Sequence, residues 1–248
     1  MSIASAIDAS PDADRHVLPG AADLSPNFAR WELATRPQGD RGTCSVFAVA
    51  GALEHALAQR EDRGTLLSVE FLNWAGHRAT GRTVDGGFFW ELWNGYEQFG
   101  ICAEDDLPYA DAFDADLQPG QTVLDAAAKR RGLAARLHWI KEWVPTTGLT
   151  DDEFAAIKRT LTDGAPVCGG FRWPKNAQWD DGLLRMAPAA EVFDGHSVLL
   201  SGYVDDGDVP GGGSFSIRNS AAAGANGRMS YEYVREYMND AAWIEPAP

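Results

Sequence analysis

The clearest pattern along the chain is a run of apolar residues at helical spacing that directly follows a polar, glycine-containing loop. Pro37 and Gly42 keep the backbone of the loop out of regular structure. The apolar residues after it recur every three or four positions, which predicts an amphipathic helix with Thr43 at its N-cap. The apolar face consists of Val46, Phe47, Val49, Ala50, Leu53, Ala56 and Leu57. Polar side chains, among them Glu54 and His55, are predicted to lie mostly on other faces.

Similar patterns predict mainly helices in the first half of the chain and mainly strands in the second half. The predicted helices cover residues 66–74, 88–99, 123–131 and 150–161. The predicted strands cover residues 133–144, 165–171, 196–204, 211–219 and 227–233. This order favours an α+β fold with a helical lobe over about residues 40–131 and a β-rich lobe over about 132–248. Residues 1–25 lack periodicity, so we predict a poorly structured N-terminal arm before one folded unit over residues 26–248.

The charge balance of the chain is strongly acidic. Its 248 residues include 36 Asp and Glu against 21 Lys and Arg, which gives a formal net charge of −15. Nucleic acids and anionic membranes bind basic surfaces, so we expect neither as a partner. No apolar stretch reaches the roughly 20 residues that span a bilayer. Because the first residues lack a basic stretch followed by an apolar run, no signal peptide is predicted.

The three cysteines do not form a metal or disulfide pattern. Cys44, Cys102 and Cys168 are few and unevenly spaced, which favours a reducing compartment, and we expect a cytoplasmic location. Cys44 falls in the first turn of the predicted helix, where free N–H groups and the helix dipole favour a thiolate, the nucleophilic form. The alternative for a single cysteine is a small buried core residue, and we expect that for Cys102 and Cys168.

The residues around Cys44 resemble the active-site segment of papain-like cysteine peptidases. The segment is Gln38-Gly39-Asp40-Arg41-Gly42-Thr43-Cys44-Ser45-Val46-Phe47-Ala48. Its Arg-Gly-Thr-Cys variant is similar to the bacterial branch of that family, and the resemblance extends from about Leu33 to about Trp243. Many secreted members have a disulfide just upstream of the nucleophile, where this chain has Arg41. The resemblance implies a papain-like fold, in which a helical lobe faces an antiparallel β-rich lobe and the active site lies in the cleft.

The resemblance also implies roles for four residues. Cys44 would attack the substrate carbonyl, and Gln38 would donate to the oxyanion that forms. His196, which enters an apolar strand, would pair with Cys44, and Asn219 at the end of a later strand would accept from the imidazole. Taken alone, a histidine is more often structural than a base, and an asparagine at a strand end is usually a turn former. The other histidines lack such a setting, and we expect structural or surface positions for His16, His55, His77 and His138.

Six further positions match the family's substrate-binding region. They are Gly86, Gly87, Phe89, Gly170, Asp194 and Gly195. The backbone of the glycine pair would run beside an extended peptide, because a Cβ there would block close approach; ordinary turn glycines are the alternative. Phe89, Gly170 and Asp194 match positions near the pocket for the second residue before the scissile bond. An aspartate in that pocket would favour a basic side chain.

Two positions depart from the family pattern. The family usually has tryptophan directly after the nucleophile, where this chain has Ser45. It also commonly has tryptophan two residues after the asparagine, where this chain has Ala221. That second aromatic normally shields the Asn–His hydrogen bond from water. Its loss would weaken the pair unless another aromatic covers it, and Trp173 and Trp179 are candidates.

The function implied by the resemblance is hydrolysis of peptide bonds through a thioester acyl-enzyme, with a peptide or protein as the substrate. This chemistry needs no metal or organic cofactor. Two other functions stay open. The same thiol chemistry could deliver the acyl group to an amine, as in a ligase, cyclase or transferase for a dedicated peptide. The fold could also serve as an inactive peptide-binding module.

Overall fold

The computed structural model describes residues 18–221 and 226–248, and the chain divides into a helical and a β-rich part. Five helices precede the first long strand, and most of the sheet follows. The helices are α1 (Ser25–Arg30), α2 (Cys44–Glu61), α3 (Val69–Thr80), α4 (Phe89–Phe99), α5 (Gln121–Ala128), α6 (Asp151–Thr162) and α7 (Tyr231–Tyr237). Within the described ranges, no helix has the length and apolar character needed to cross a membrane. The expected α+β arrangement with two lobes is confirmed.

One mostly antiparallel sheet forms the β-rich lobe. Its strands are β1 (Ala21–Asp23), β2 (Ala134–Lys141), β3 (Val167–Pro174), β4 (Trp179–Asp180), β5 (Leu183–Leu184), β6 (Val192–Asp205), β7 (Gly213–Arg218), β8 (Gly227–Ser230) and β9 (Met238–Pro246). Their order is β2-β9-β3-β6-β7-β8-β5-β4, and β1 adds to β6. Among the strand pairs within residues 18–221 and 226–248, only β5–β8 is parallel. The long strand β6 lies between β3 and β7, so that side chains from three strands meet on one part of the sheet.

Local capping signals explain several helix boundaries. The Ser68 hydroxyl accepts from the N–H of Phe71 at 2.9 Å and begins α3. Thr150 and Glu153 form the predicted capping box that begins α6. Gly100 ends α4 with φ at +78°, a conformation that favours glycine. These boundaries follow from residues close in sequence, which is why the pattern predicts them well.

Helix α2 is buried on nearly all sides, which differs from the amphipathic helix that the sequence predicts. Glu54 is 3% exposed and His55 is 1% exposed. The helix packs against α3 and α4 on one side and against β3, β6 and β9 on the other, so it has no broad solvent face. Glu54 is tolerated there because Arg36 and the N–H of Leu67 donate to its carboxylate.

Three smaller predictions need correction. Residues 1–17 of the predicted arm lie outside the described residues, but Ala21–Asp23 within it pairs with β6 instead of being unstructured. The last predicted strand ends at Ser230, because the Ser230 hydroxyl accepts from the N–H of Tyr233 and begins α7. Thr43 does occupy the N-cap of α2, but its hydroxyl bonds to the Tyr109 hydroxyl at 2.6 Å instead of capping the helix.

Candidate active site

Cys44 is the first residue of α2 and lines a cleft of about 300 Å³ between the two lobes. The side chain of His196 and the backbone N–H groups of Ser45 and Ser197 lie beside its sulfur and favour its charged form. Burial alone would raise the pKa of the Cys44 thiol. These N–H groups and the positive charge of His196 outweigh burial and lower that pKa below the ordinary value of 9.0. The surroundings of Cys44 therefore favour the thiolate.

His196 reaches Cys44 from β6, and Asn219 holds the other edge of its ring. The Nε2 of His196 lies 2.8 Å from the Oδ1 of Asn219, which leaves Nδ1 to face the sulfur. Asn219 directly follows β7, the neighbour of β6, and its Oδ1 also accepts from the N–H of Ala221 at 3.0 Å. Burial alone would lower the pKa of His196, but the Cys44 thiolate beside it and its bond to Asn219 raise that pKa above its ordinary value.

Trp173 packs on the His196 ring. The sequence had left open whether Trp173 or Trp179 would cover the histidine. The two ring centroids are 4.6 Å apart and the planes are tilted by 60°. Trp173 lies on β3, two residues beyond Phe171, which is directly opposite His196 in the strand pairing. The ring centroid of Trp179 lies 6.3 Å from that of Trp173, so Trp179 packs against Trp173. An aromatic from a neighbouring strand thus lies against the imidazole, although Ala221 occupies the position where the family commonly has tryptophan.

Gln38 is fixed in the loop that precedes α2. Its N–H donates to the carbonyl of Ser220 at 2.6 Å, and the Ser220 hydroxyl donates to its Oε1 at 2.9 Å. Its Nε2 donates to the carbonyl of Arg41 at 2.8 Å. An amide nitrogen carries two N–H donors, so one of them remains for a ligand. Ser220 directly follows Asn219, so Gln38 is joined to the strand end that holds the imidazole.

The cleft beside Cys44 contains most of the predicted substrate-binding residues. Those that line it are Gly87, Phe89, Gly170 and Gly195. Gly86 is buried and does not line the cleft; its carbonyl accepts from His77 and its N–H donates to Asn73. The backbone of Asp194 lies in β6, but its side chain falls outside what the structure describes, so the predicted role of Asp194 stays a prediction.

Several cleft residues lie outside the substrate-binding set predicted from the sequence, and three of them, Asp240, Phe88 and Trp143, affect its charge and shape. Asp240 on β9 is 5% exposed and lines the cleft opposite Gly170, where a Cβ would lie only 1.9 Å from the aspartate Oδ1. Burial raises the pKa of Asp240 to about 7, and the charge of Lys141 offsets part of that rise. Phe88 and Trp143 approach each other from the two lobes, with ring centroids 5.2 Å apart. Nothing local to these positions marks them, since strand pairing and loop packing bring them to the cleft.

The site has no grouping typical of a metal centre. Within residues 18–221 and 226–248, no three His, Cys, Asp or Glu side chains lie close enough together to hold a metal ion. Cys102 and Cys168 are free, fully buried thiols away from the cleft. Burial raises the pKa of Cys102 to about 11 and raises that of Cys168 further. Cys44 differs from both in its contacts and in the direction of its pKa shift.

Iodoacetamide is expected to label Cys44 at pH values below the ordinary thiol pKa of 9.0. The lowered pKa of Cys44 and the raised pKa of His196 define a pH window in which the thiolate and imidazolium coexist. Labelling should fall as pH drops through the acid edge of that window. Peptide mapping across a pH series measures the rate, with Cys102 as the internal control. Labelling of Cys44 that rises only near pH 9, as for a free thiol, would contradict this electrostatic account.

Fold and site together define a two-lobed protein with a cysteine and a histidine side by side in the cleft and an asparagine hydrogen-bonded to that histidine. The sequence profile described as "Papain family cysteine protease" matches residues 29–240. This match covers most of the 248 residues, and the chain therefore belongs to the papain family of cysteine proteases.

Individual relatives agree with the family assignment. An uncharacterized peptidase C1-like protein of Acanthamoeba polyphaga mimivirus is 25% identical over 220 residues, which are 84% of this chain and 68% of that protein. Xylellain, a cysteine protease from Xylella fastidiosa, superimposes with a TM-score of 0.74 at 21% identity, covering 100% of this chain and 94% of that one. Digestive procathepsin L 3 of Tenebrio molitor larval midgut gives 0.67 at 16% identity, covering 94% and 72%. At these identities, the two structural matches show the papain-like fold alone.

Proposed function

We propose that this chain is a cysteine peptidase that hydrolyses peptide bonds of peptide or protein substrates through Cys44. The observation that carries this proposal is a series of three residues at the wall of an open cleft: Cys44, His196 beside it, and Asn219, which is hydrogen-bonded to the His196 ring. Such a series contains an activated nucleophile, a proton carrier and a group that orients the carrier. The Arg-Gly-Thr-Cys sequence supports a place in the bacterial branch of the family as part of the same proposal.

The proposed reaction has two acyl-transfer steps. The Cys44 thiolate attacks the peptide carbonyl carbon and forms a C–S bond, while the carbonyl oxygen takes up the negative charge. The Gln38 side-chain amide and the Cys44 backbone N–H stabilise this oxyanion, and each such donor contributes roughly 2.7–4 kcal/mol in comparable sites. The C–N bond then breaks as imidazolium His196 gives its proton to the leaving amine, which leaves a thioester.

The second step returns the enzyme to its starting state. Neutral His196 takes a proton from water, and the resulting hydroxide attacks the thioester carbonyl. The C–S bond breaks and the carboxylic acid leaves. Cys44 is then again a thiolate, and His196 is again an imidazolium. Asn219 keeps the ring in the orientation that presents Nδ1 to sulfur, substrate and water in turn. The Trp173 ring packs on the imidazole through both steps.

The masses of the products distinguish hydrolysis from acyl transfer. Incubation of the reduced protein with a diverse peptide library should give fragments whose summed masses exceed that of the parent peptide by one water. Protein treated beforehand with iodoacetamide is the control and should give no fragments. Products that join two library peptides without gaining water would overturn hydrolysis in favour of a transferase or ligase. Absence of any product would overturn the peptidase proposal.

The cleft supports a preference for substrates with a basic side chain near the scissile bond. Asp240 provides a carboxylate beside Gly170 and Phe89, two residues predicted to lie near that subsite. The net charge of −15 also attracts basic peptides over a longer range. Asp240 is therefore an acidic cleft residue that supports this preference, and the predicted role of Asp194 stays a prediction beside it.

Asp240→Asn is expected to reduce kcat/KM for a substrate with arginine at this subsite by about tenfold or more, because a charge-assisted hydrogen bond is lost. A substrate with leucine there should be affected little. In the wild type, the preference should weaken as pH falls through about 7, because protonation removes the Asp240 charge. Matched fluorogenic peptides measure both effects. Equal loss for the arginine and leucine substrates would contradict the assignment.

The predicted cytoplasmic location is part of the proposal. It is supported by the free state of all three cysteines and by a nucleophile that requires a reduced thiol. Peptide or protein substrates remain the proposed partners, without nucleic acid or membrane.

A further inference from the structure

Arg41 joins two loops that flank the cleft. We call residues 38–43, which carry Gln38 and lead into Cys44, the oxyanion loop, and residues 85–87 the glycine turn. The two meet through their backbones, since a Cβ on Gly86 would lie only 2.1 Å from the carbonyl oxygen of Gly42. Arg41 lies beside this contact and is 6% exposed. A buried charge needs hydrogen-bonding partners of opposite charge, and the positions of these partners show which segments Arg41 connects.

All five N–H donors of the Arg41 guanidinium are used. Nε and Nη2 donate to the two carboxylate oxygens of Asp85, each at 3.0 Å. Nη1 and Nη2 donate to the two oxygens of Glu70, and Nη1 also donates to the carbonyl of Ala110 at 2.8 Å. Burial alone would lower the pKa of Arg41, but the bonds to Asp85 and Glu70 raise it. This planar, two-sided arrangement is specific to a guanidinium, because an ammonium has three donors and no fork.

The partners of Arg41 are themselves fixed to the glycine turn and to α3. Asp85 belongs to the turn and accepts from the Asn73 side chain at 2.8 Å. The Asn73 Oδ1 accepts from the N–H of Gly86 at 3.0 Å. Glu70 lies in the first turn of α3 and also accepts from the N–H of Ala110 at 3.1 Å. The position of Arg41 is therefore set from outside the oxyanion loop.

Two routes lead from Arg41 to Gln38. The carbonyl of Arg41 accepts from Gln38 Nε2 at 2.8 Å, and this bond orients the amide that would donate to the oxyanion. The guanidinium also stacks on the ring of Tyr109, with its central carbon 4.6 Å from the ring centroid. The Tyr109 hydroxyl donates to the carbonyl of Gln38 at 2.9 Å. A displaced Arg41 would thus shift both the backbone and the side chain of Gln38.

We propose that Arg41 is a positioning residue for peptide hydrolysis: held by Glu70 and Asp85, it fixes the oxyanion loop on the glycine turn, so that Gln38 and the backbone of Gly87 act on the same bound peptide. The inference rests on the proposed peptidase function. It assigns Arg41 no contact with the substrate. Its effect is on geometry, and a misplacement of about 1 Å can cost on the order of 10²-fold in rate.

Arg41→Lys tests the proposal because it keeps the charge and removes the fork. We expect kcat to fall by about 10²-fold, close to the loss for Gln38→Ala, which removes one oxyanion donor. The double variant should lose little more than Gln38→Ala alone, because the two changes disable the same function. Cys44 labelling by iodoacetamide, which needs no oxyanion donor, should stay within about twofold of the wild type. A generally disrupted site would instead lose labelling and hydrolysis together.

Two further variants keep the experiment decisive. Asp85→Asn retains the shape of the turn and should lower kcat in the same non-additive way, even if Arg41→Lys does not fold. Arg30→Lys is the matched control, since Arg30 pairs with Asp62 at 2.7 Å beyond the opposite end of α2 and should leave kcat unchanged. Two results would overturn this inference and leave the proposed function intact. One is a wild-type kcat in both Arg41→Lys and Asp85→Asn, and the other is a loss in these variants that adds to the loss in Gln38→Ala. An inactive wild type would overturn the proposed function and this inference with it.

Discussion

Replacement of Cys44 by alanine is expected to abolish peptide hydrolysis, with kcat reduced by on the order of 10⁶-fold, the scale found when the nucleophile of a comparable triad is removed. The physical reason is that acyl transfer through this site requires the sulfur as the atom that forms the new bond to carbon. Binding of the peptide should persist, because the cleft walls at Gly87, Phe89 and Asp240 are unchanged. Steady-state kinetics and isothermal titration with the same peptide measure the two effects.

A matched control is available in the second thiol of the helical lobe. Cys102 is fully buried, and burial raises its pKa to about 11, so Cys102→Ala removes a thiol without touching the cleft. This variant should keep wild-type kinetics. Hydrolysis that survives in Cys44→Ala at more than about 1% of the wild-type rate would contradict the assignment of the nucleophile, because the expected loss is several orders of magnitude greater.

Replacement of His196 by alanine is expected to cause the second largest loss, at least about 10⁴-fold in kcat. The imidazolium both stabilises the thiolate and donates the proton that lets the amine leave. Without it, the pKa of Cys44 should return toward that of an ordinary thiol, which is only roughly 0.3% ionised at pH 6. Iodoacetamide labelling at pH 6 should therefore fall together with hydrolysis. This combined loss distinguishes His196 from Gln38, whose removal should affect hydrolysis alone.

His138 is the matched control for this prediction. It lies on β2, where it pairs with Glu245 at 2.7 Å and stacks on Trp243 with the ring centroids 4.4 Å apart. His138→Ala removes an imidazole from the same lobe without reaching the cleft, and it should leave labelling and hydrolysis unchanged. Fast labelling of His196→Ala at pH 6 would contradict this prediction. It would mean that the helix terminus and the backbone N–H groups stabilise the thiolate without the imidazolium.

The sequence predicts the first part of the site well because its signals are local. Cys44 follows a loop and begins a helix, and both features are set by residues within a few positions. The order of helices and strands follows in the same way from periodicity and capping residues such as Thr150. The roles given to His196 and Asn219 depended on resemblance to a family. No periodicity shows that two residues 23 positions apart come within 2.8 Å.

The rest of the site depends on long-range strand pairing, which local patterns do not specify. Trp173 covers His196 because β3 pairs with β6 in the register that places Phe171 opposite the histidine, and diagonal neighbours in a sheet lie within reach of an aromatic ring. Asp240 faces Gly170 because β9, a strand that the sequence did not predict, pairs with β3 at that position. A shift of one residue in either pairing would turn these side chains to the other face.

The buried charges were missed for a related reason. A glutamate within a helix is expected to face water, yet Glu54 is buried because the helical lobe and the sheet enclose α2 from opposite sides. Its partner Arg36 and the second arginine of the loop, Arg41, come from the irregular segment that precedes α2. Hydrophobic patterning alone treats such a segment as a solvated loop, whereas its arginines are what attach it to the rest of the lobe.

Trapping the acyl group on the protein is the most direct test of Cys44 as the nucleophile. A peptide ester mixed with the reduced wild type, quenched in acid within the first turnover and digested for mass-spectrometric mapping, should show the acyl mass on Cys44. No adduct should appear on Cys102 or Cys168, whose thiols are buried and whose pKa values are raised. An acyl group on any other residue, or turnover of the ester without an adduct on Cys44, would contradict the proposed mechanism.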